Sequence, residues 1–214
     1  MVGEVLPMHM EIYEVIKSLA DQYANDLKKQ VDLRMEEMKQ DDHSHYLLYQ
    51  VLGVSDQEGH LIDLYQNKGR FLYKYAGAFL EEAAIICMKH RYPNAVKSKI
   101  PNTLGSRPKT FEIDCLVDDL AHEIKWRDAT TDGDHITKEH TRVKVIQAKG
   151  LVPVRVMFYY PQRAQAKRIQ ETLKTLYLGV GGQYYCGDEA WAYMQKFTGI
   201  DLMEILKKIA QCRK

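Results

Sequence analysis

Two acidic residues and a lysine stand in two short apolar stretches near the middle of the chain. The stretch "FEIDCLV" carries Asp114, and "LAHEIKW" carries Glu123 and Lys125. If the stretches form a hairpin that turns at residues 118–119, Asp114 lies opposite Glu123 on one face. Like charges placed opposite each other destabilise a sheet by roughly 0.2–1 kcal/mol, and by more where water is excluded. The pattern therefore predicts a cation bound between the two carboxylates.

The residue types favour a hard divalent cation and the hydrolysis of a phosphodiester bond. Mg²⁺ takes oxygen ligands, keeps several waters and is typically held by one or two carboxylates together with a substrate phosphate. Lys125 points the same way as Glu123 and can orient water or offset negative charge on the attacked phosphate. The alternative is a solvated hairpin face on which Glu112 pairs with Lys125 and no metal binds. Spacing alone does not separate the two, because the pattern is common by chance.

The alternation of side chains divides the predicted hairpin into a charged face and an apolar face. The predicted strands cover residues 110–117 and 120–127, and Glu112 and Arg127 fall on the charged face. We expect the apolar face to pack against the core, with three cross-strand pairs: Ile113 with Ile124, Val117 with Leu120, and Phe111 with Trp126.

Helices and a further strand must position this hairpin. The periodicity predicts an amphipathic helix over 9–40, a buried helix over 70–92 that Pro93 ends, and a helix over about 137–149. The stretch "LVPVRVMFYYP" predicts a strand parallel to the second hairpin strand, since a helix connects them, and another helix follows. A glycine-rich turn and two short helices end the chain. We therefore predict an α/β fold with a mixed sheet flanked by helices.

Composition restricts the class of protein. The 214 residues, of which 45% are hydrophobic, fit one domain with a sizeable core. We divide it into a helical N-terminal region (1–66), a catalytic core (67–177) and a helical C-terminal appendage (178–214). No apolar run spans a bilayer and no basic leader begins the chain, so we expect a soluble, cytoplasmic protein. Four scattered cysteines indicate neither a zinc knuckle nor a disulfide framework.

The net charge of the whole chain does not by itself indicate that the protein binds nucleic acid. The net charge is +1, with 30 basic and 29 acidic residues. Residues 137–174 nevertheless contain nine Lys or Arg side chains and two Glu side chains. This part of the chain is cationic and suits a polyanion.

The quoted motifs resemble a known group of nucleases. "EID" at 112–114 and "EIK" at 123–125, followed by the strand–helix–strand pattern, resemble the PD-(D/E)xK superfamily and its type II restriction endonucleases. The stretch "EIKWRDATTDGDHITKEHTRVKVIQAKGLVPVRVMFYYPQRAQAKRI" is similar to ApaLI-like restriction endonucleases in particular, and the resemblance extends over about residues 77–170. One departure is that no proline directly precedes Asp114.

The resemblance assigns roles to individual residues. It implies that Asp114 and Glu123 hold Mg²⁺ together with the main-chain carbonyl of Ile124, and that Lys125 is the catalytic lysine. The helical "GAFLE" matches a Gly-x-x-apolar-Glu pattern upstream of such sites, which favours Glu81 over Glu82 as an auxiliary acid. On a helical projection Glu81 also lies among apolar residues, although a solvated strip of helix explains it equally well.

The resemblance also implies a substrate and partners. The expected activity is cleavage of double-stranded DNA at a short palindrome by a homodimer, giving 5′-phosphate and 3′-hydroxyl ends. Mn²⁺ is expected to substitute for Mg²⁺, and Ca²⁺ to support binding without cleavage. A companion DNA methyltransferase is expected as a neighbouring gene, in a bacterium or archaeon. The alternatives are a repair or junction-resolving nuclease of the same fold and an inactive DNA-binding module.

DNA contacts are expected after the catalytic strand. The loop that begins there should border the scissile phosphate, and Lys138 and Arg142, four residues apart, share one face of the following helix. An ordinary solvated helix face explains that pair equally well. The expected DNA contacts are Arg127, Thr130, Thr131, His135, Lys138 and Arg142.

Overall fold

A computed structural model describes residues 5–105, 107–127 and 133–213, without the side chains of residues 5–10 and 133–135. Within these ranges it contains helices and strands in the order α1 (Val5–Met38), α2 (Tyr46–Val51), α3 (Asp56–Arg91), β1 (Val96–Pro101), β2 (Thr110–Val117), β3 (Leu120–Arg127), α4 (Gly133–Ala148), β4 (Val152–Tyr159), α5 (Ala164–Gly179), β5 (Gln183–Cys186), α6 (Asp188–Thr198) and α7 (Leu202–Gln211).

The strands form one mixed sheet in the order β1-β2-β3-β4-β5. β1, β2 and β3 are antiparallel neighbours, whereas β4 runs parallel to β3 and to β5. The predicted α/β fold and the parallel crossover through α4 are confirmed. The periodicity did not predict β1 or β5. β1 is largely exposed and half of its residues are polar, and β5 has only four residues after two glycines, so neither carries a clear periodicity.

Helices cover both faces of the sheet. On one face, Val143 of α4 and Leu173 and Tyr177 of α5 pack with Tyr184 of β5. On the other face, Trp191 of α6 packs on Phe158 of β4, with ring centroids 4.3 Å apart. Tyr193 of α6 also contacts the buried His122 of β3, whose Nε2 lies 2.7 Å from the tyrosine hydroxyl. The sheet is therefore the middle layer of a three-layer core.

A bulge in β2 changes which side chains share a face. Val96 pairs with Leu116 but Ser98 pairs with Ile113, so two steps along β1 oppose three steps along β2. The extra residue lies around Asp114 and reverses the alternation before it. Phe111 and Ile113 consequently pack with Val145 and Ile146 of α4.

The hairpin prediction is correct near the turn and wrong at the start of β2. The register pairs Val117 with Leu120, as predicted, and continues to Cys115 with His122. Because of the bulge, Phe111 and Ile113 share the face of Glu123, not the face opposite to it. Glu112 is turned to the other face. The prediction that it shares a face with Glu123 and Lys125 is therefore wrong.

The chain divides into two compact units. One contains residues up to Ile16 together with the chain from Leu80 onward, and the other contains Lys17–Phe79. All strands belong to the first unit. The second consists of helical segments, and a capping box precedes α3, since Glu58 N donates to Ser55 Oγ and Ser55 N donates to Glu58 Oε2. None of the helices in the described part of the chain is long and apolar enough to cross a membrane.

Candidate active site

Asp114, Glu123 and Lys125 meet where β2 and β3 separate. The paired positions of the two strands end at Cys115 with His122. Just beyond them, the backbone N–H of Ile124 donates a 2.8 Å hydrogen bond to Asp114 Oδ2. Lys125 Nζ lies 3.4 Å from Asp114 Oδ2 and 2.6 Å from Glu123 Oε1. The bulge and the separation of the strands thus direct both carboxylates at one point, where the ammonium group lies.

Burial raises the electrostatic cost of keeping both carboxylates ionised. Asp114 and Glu123 are each only 5% exposed. Burial, and then the neighbouring Glu123 charge, raise the pKa of Asp114 to about 7. Burial also acts to raise the pKa of Glu123, but the positive charges of Lys125, Arg142 and Arg155 outweigh it and lower that pKa to about 2. The pair is therefore stable as two carboxylates only with cationic groups around it.

The donor set fits a hard divalent cation. Two carboxylates converge here, and the main-chain carbonyl of Ile124 belongs to the residue between Glu123 and Lys125. In the described residues, no group of three or more His, Cys, Asp or Glu side chains could hold a metal ion. Carboxylate and carbonyl oxygens are the ligands that Mg²⁺ takes, and one or two carboxylates with water and a substrate phosphate are its usual set.

A buried polar network holds Glu123 from the side of α4. Arg142 Nη1 contacts Glu123 Oε2, and Arg142 Nε lies 3.4 Å from Glu139 Oε1. Glu139 Oε2 in turn contacts Arg155 Nη1 at 3.1 Å and accepts a 3.0 Å hydrogen bond from the Tyr177 hydroxyl. The network connects β3, α4, β4 and α5, so it limits where the Glu123 carboxylate can lie.

The sequence pattern did not predict three members of this network: Glu139, Arg155 and Tyr177. Two signals in the sequence could have revealed the network. Arg155 interrupts the apolar strand "VPVRVMFY", and a buried arginine requires an acidic partner. Glu139 is one of only two acidic residues in the cationic segment 137–174, and it is 3% exposed.

Arg142 points to the site and not to solvent. The sequence leaves two interpretations open for Lys138 and Arg142: contact with a DNA phosphate, or an ordinary solvated helix face. Lys138 is exposed, whereas the Arg142 side chain is only 19% exposed and lies against Glu123 and Glu139. Its guanidinium also lies 5.7 Å from the centre of the Phe111 ring. These contacts make Arg142 a positioning residue for Glu123.

Glu81 and Glu112 form a second acidic group beside the site. Lys97 Nζ lies 2.7 Å from Glu112 Oε1 and 3.6 Å from Glu81 Oε1, and Lys99 Nζ lies 3.6 Å from Glu112 Oε2. The alternative pairing of Glu112 with Lys125 is therefore wrong. Glu81 is close enough for its charge to contribute to the raised pKa of Asp114. Its neighbour Glu82 is exposed.

The remaining predicted contacts lie at the end of β3 or beyond it. Arg127 is exposed, and its guanidinium lies 5.7 Å from the centre of the Trp126 ring. Thr130 and Thr131 lie outside the described residues. His135 belongs to α4, but its side chain is also outside what is described.

Comparison with known proteins identifies the group to which these features belong. The family model described as ApaLI-like restriction endonuclease matches residues 8–211. The match includes both compact units and every residue of the site. No curated protein and no solved structure matches the chain. The resemblance seen in the "EID" and "EIK" motifs is confirmed at the level of this family.

Replacing Glu139 by Gln is expected to destabilise the fold. The substitution leaves the guanidinium groups of Arg142 and Arg155 without the charge between them, and removing one partner of a buried ion pair costs about 3–5 kcal/mol. The free energy of unfolding, measured by urea denaturation, checks this. The control is Glu171→Gln, the same chemical change at an exposed position of α5, where a change within about 0.5 kcal/mol is expected. Equal effects at the two positions would contradict the structural role of Glu139.

Proposed function

Because the chain belongs to the family of ApaLI-like restriction endonucleases, we propose that it is a type II enzyme that cleaves double-stranded DNA with Mg²⁺. The proposal rests above all on the convergence of Asp114, Glu123 and Lys125. Two acids and a lysine on adjoining strands are the pattern of the PD-(D/E)xK nucleases, to which we assign this site. Restriction endonucleases generally use a divalent metal, and the oxygen donors here suit Mg²⁺, with Mn²⁺ as a substitute.

The chain supplies ligands whose positions are already restrained. Asp114, restrained by the Ile124 amide, and Glu123, restrained by Arg142, would hold Mg²⁺ together with the Ile124 carbonyl. Bound there, the divalent ion supplies stabilisation of the negative charge that develops on the attacked phosphate. Glu81, near Asp114 and beside Lys97, is the proposed auxiliary acid.

Lys125 is the most exposed of the three proposed catalytic side chains. Its side chain is 33% exposed, whereas those of Asp114 and Glu123 are buried. When the carboxylates hold a metal, the ammonium can turn to the phosphate, donate to its oxygen and orient the attacking water. The water attacks phosphorus in line and loses a proton, while the bond from phosphorus to the 3′ oxygen breaks. That oxygen takes up a proton, which leaves 5′-phosphate and 3′-hydroxyl ends.

A short palindromic target implies a two-fold homodimer. The unit Lys17–Phe79 supports this proposal, because it buries few apolar side chains: Leu19, Ala20, Met38 and Tyr46. It exposes many more: Leu33, Leu47, Leu48, Val51, Leu52, Leu61, Ile62, Tyr65, Leu72 and Tyr73.

Three of these exposed side chains, Leu61, Tyr65 and Leu72, form an apolar stripe on α3. Leu61 and Leu72 are eleven residues apart, about three helical turns, so they and Tyr65 share one face. Exposed apolar side chains grouped on one face are typical of an interaction site. We propose that this stripe packs against a second copy of the chain. The companion methyltransferase is proposed as a separate protein.

Substitutions in the site are expected to abolish cleavage without preventing DNA binding. Asp114→Asn, Glu123→Gln and Lys125→Ala each remove a charge that acts on the metal or the phosphate, so each should lower the cleavage rate by at least about 10²-fold. The measurement is plasmid digestion with Mg²⁺, with EDTA as the metal-free arm and Ca²⁺ for binding. Glu171→Gln is the control and should cut normally. A Lys125→Ala variant that cuts at the normal rate would remove the lysine from the mechanism.

Charged substitutions on the apolar stripe are expected to separate the dimer. The double variant Leu61→Glu with Tyr65→Glu should be monomeric in light scattering, because like charges would be buried at the interface. Leu178→Glu, at a 54% exposed position of α5, is the control and should remain dimeric. A wild-type protein that is monomeric at micromolar concentration with bound DNA would refute the dimer.

A further inference from the structure

A cleft of about 520 Å³ lies at the carboxyl ends of β3 and β4. Its described walls come from two short runs of the chain, residues 126–127 and residues 159–163. Lys125 directly precedes the first run, and Arg127 pairs with Tyr159 across the parallel strands. Arg127 is two residues from Lys125, a span of about 6.6 Å along the strand. The cleft therefore adjoins the end of β3 that carries the proposed catalytic lysine.

The walls combine aromatic rings with positive charge. Three of the lining residues are aromatic, Trp126, Tyr159 and Tyr160, and the charged residues among the described walls are Arg127 and Arg163. No acidic residue is among those described walls. Bases stack on aromatic rings, and guanidinium groups pair with phosphates and stack on rings. The volume also falls in the range of ligand sites, about 300–1,000 Å³.

One ring is held in a fixed position although it is exposed. Tyr159 is 50% exposed, and its ring lies edge-on to Trp191 with centroids 5.9 Å apart. Trp191 is itself buried against Phe158. A supported, half-exposed ring is a preorganised stacking platform, because little side-chain freedom is lost when a base packs on it.

We propose that this cleft binds one nucleotide of the cleaved strand, next to the scissile phosphate. Its base packs against the Trp126 and Tyr159 rings, and its phosphate pairs with Arg127 or Arg163. The inference rests on the proposed function, because it requires a DNA strand whose scissile phosphate lies at Lys125, beside the cleft. The contact would contribute affinity for the substrate strand and would require the base to leave its normal stack.

Removing the rings tests the proposal. Trp126→Ala and Tyr159→Ala should each weaken DNA binding in Ca²⁺ by about 5- to 100-fold, the range for loss of one stacked base. They should raise KM while kcat changes little. Trp126→Phe and Tyr159→Phe keep a ring and are the matched controls, so they should retain most of the affinity. The probe is the duplex whose site is read from the ends of digested plasmid, or the intact plasmid where none is digested, and thermal unfolding verifies that each variant is folded.

Fluorescence provides a readout that does not depend on cleavage. The chain has two tryptophans, so Trp191→Phe leaves Trp126 as the reporter, and we expect its emission to be quenched when DNA binds in Ca²⁺. Unchanged emission with DNA bound would overturn the inference. A second result would also overturn it: Arg127→Ala and Arg163→Ala lose DNA affinity while the two ring-to-Ala variants keep it. The cleft would then contact only the DNA backbone.

The same variants separate this inference from the proposed function. If the wild-type protein cuts DNA and the ring variants bind it normally, the nucleotide site is wrong and the nuclease stands. If the wild-type protein does not cut DNA but the ring variants lose DNA affinity and Trp126 emission responds, the nucleotide site stands without the nuclease.

Discussion

The burial of two like charges side by side is the constraint on which the site depends. Transferring a carboxylate from water into a protein interior costs several kcal/mol, and a second carboxylate at the same point adds repulsion. The chain offsets these costs for Asp114 and Glu123 with Lys125, Arg142 and one backbone N–H. Under the proposed function, this site would hold a divalent cation, and the carboxylates are already oriented and desolvated on folding.

The surrounding fold supplies what the two acids need. The bulge in β2 directs Asp114 toward the gap between the strands, and the end of the β2–β3 pairing leaves the Ile124 N–H for its carboxylate. α4 provides Arg142 and Glu139, and β4 provides Arg155. Since these groups come from elements far apart in sequence, the site exists only when the sheet and α4 are packed together. The stability of the core and the geometry of the site are therefore coupled.

The two compact units have different surface chemistry, which suggests a division of roles. The unit that contains the sheet carries the acids, the lysine and the aromatic cleft, all near the carboxyl ends of β3 and β4. The helical unit Lys17–Phe79 has few buried apolar side chains and many exposed ones. Under the proposed function, DNA cleavage by one unit and dimerisation through the other would let two identical active sites act on one palindromic substrate.

Local pattern was enough to predict much of this protein. The bounds of β2 and β3 and the turn at residues 118–119 follow from nearest-neighbour preferences, so sequence alone determined them. The types and spacing of Asp114, Glu123 and Lys125 also predicted that these residues converge, as they do in the structure. The family followed from the same motifs.

Tertiary structure decided the facing of side chains and the partners of charges. Strict alternation placed Phe111 and Ile113 on the face of the sheet opposite to that of Glu123, but one extra residue in β2 moved them to the same face. This bulge depends on the pairing of β2 with β1, a strand that the sequence pattern did not reveal. Arg142 could be assigned to a helix but not to a partner, because only packing of α4 on the sheet brings it to Glu123. Periodicity describes each element by itself. Charge partners that are many residues apart are set by how the elements pack.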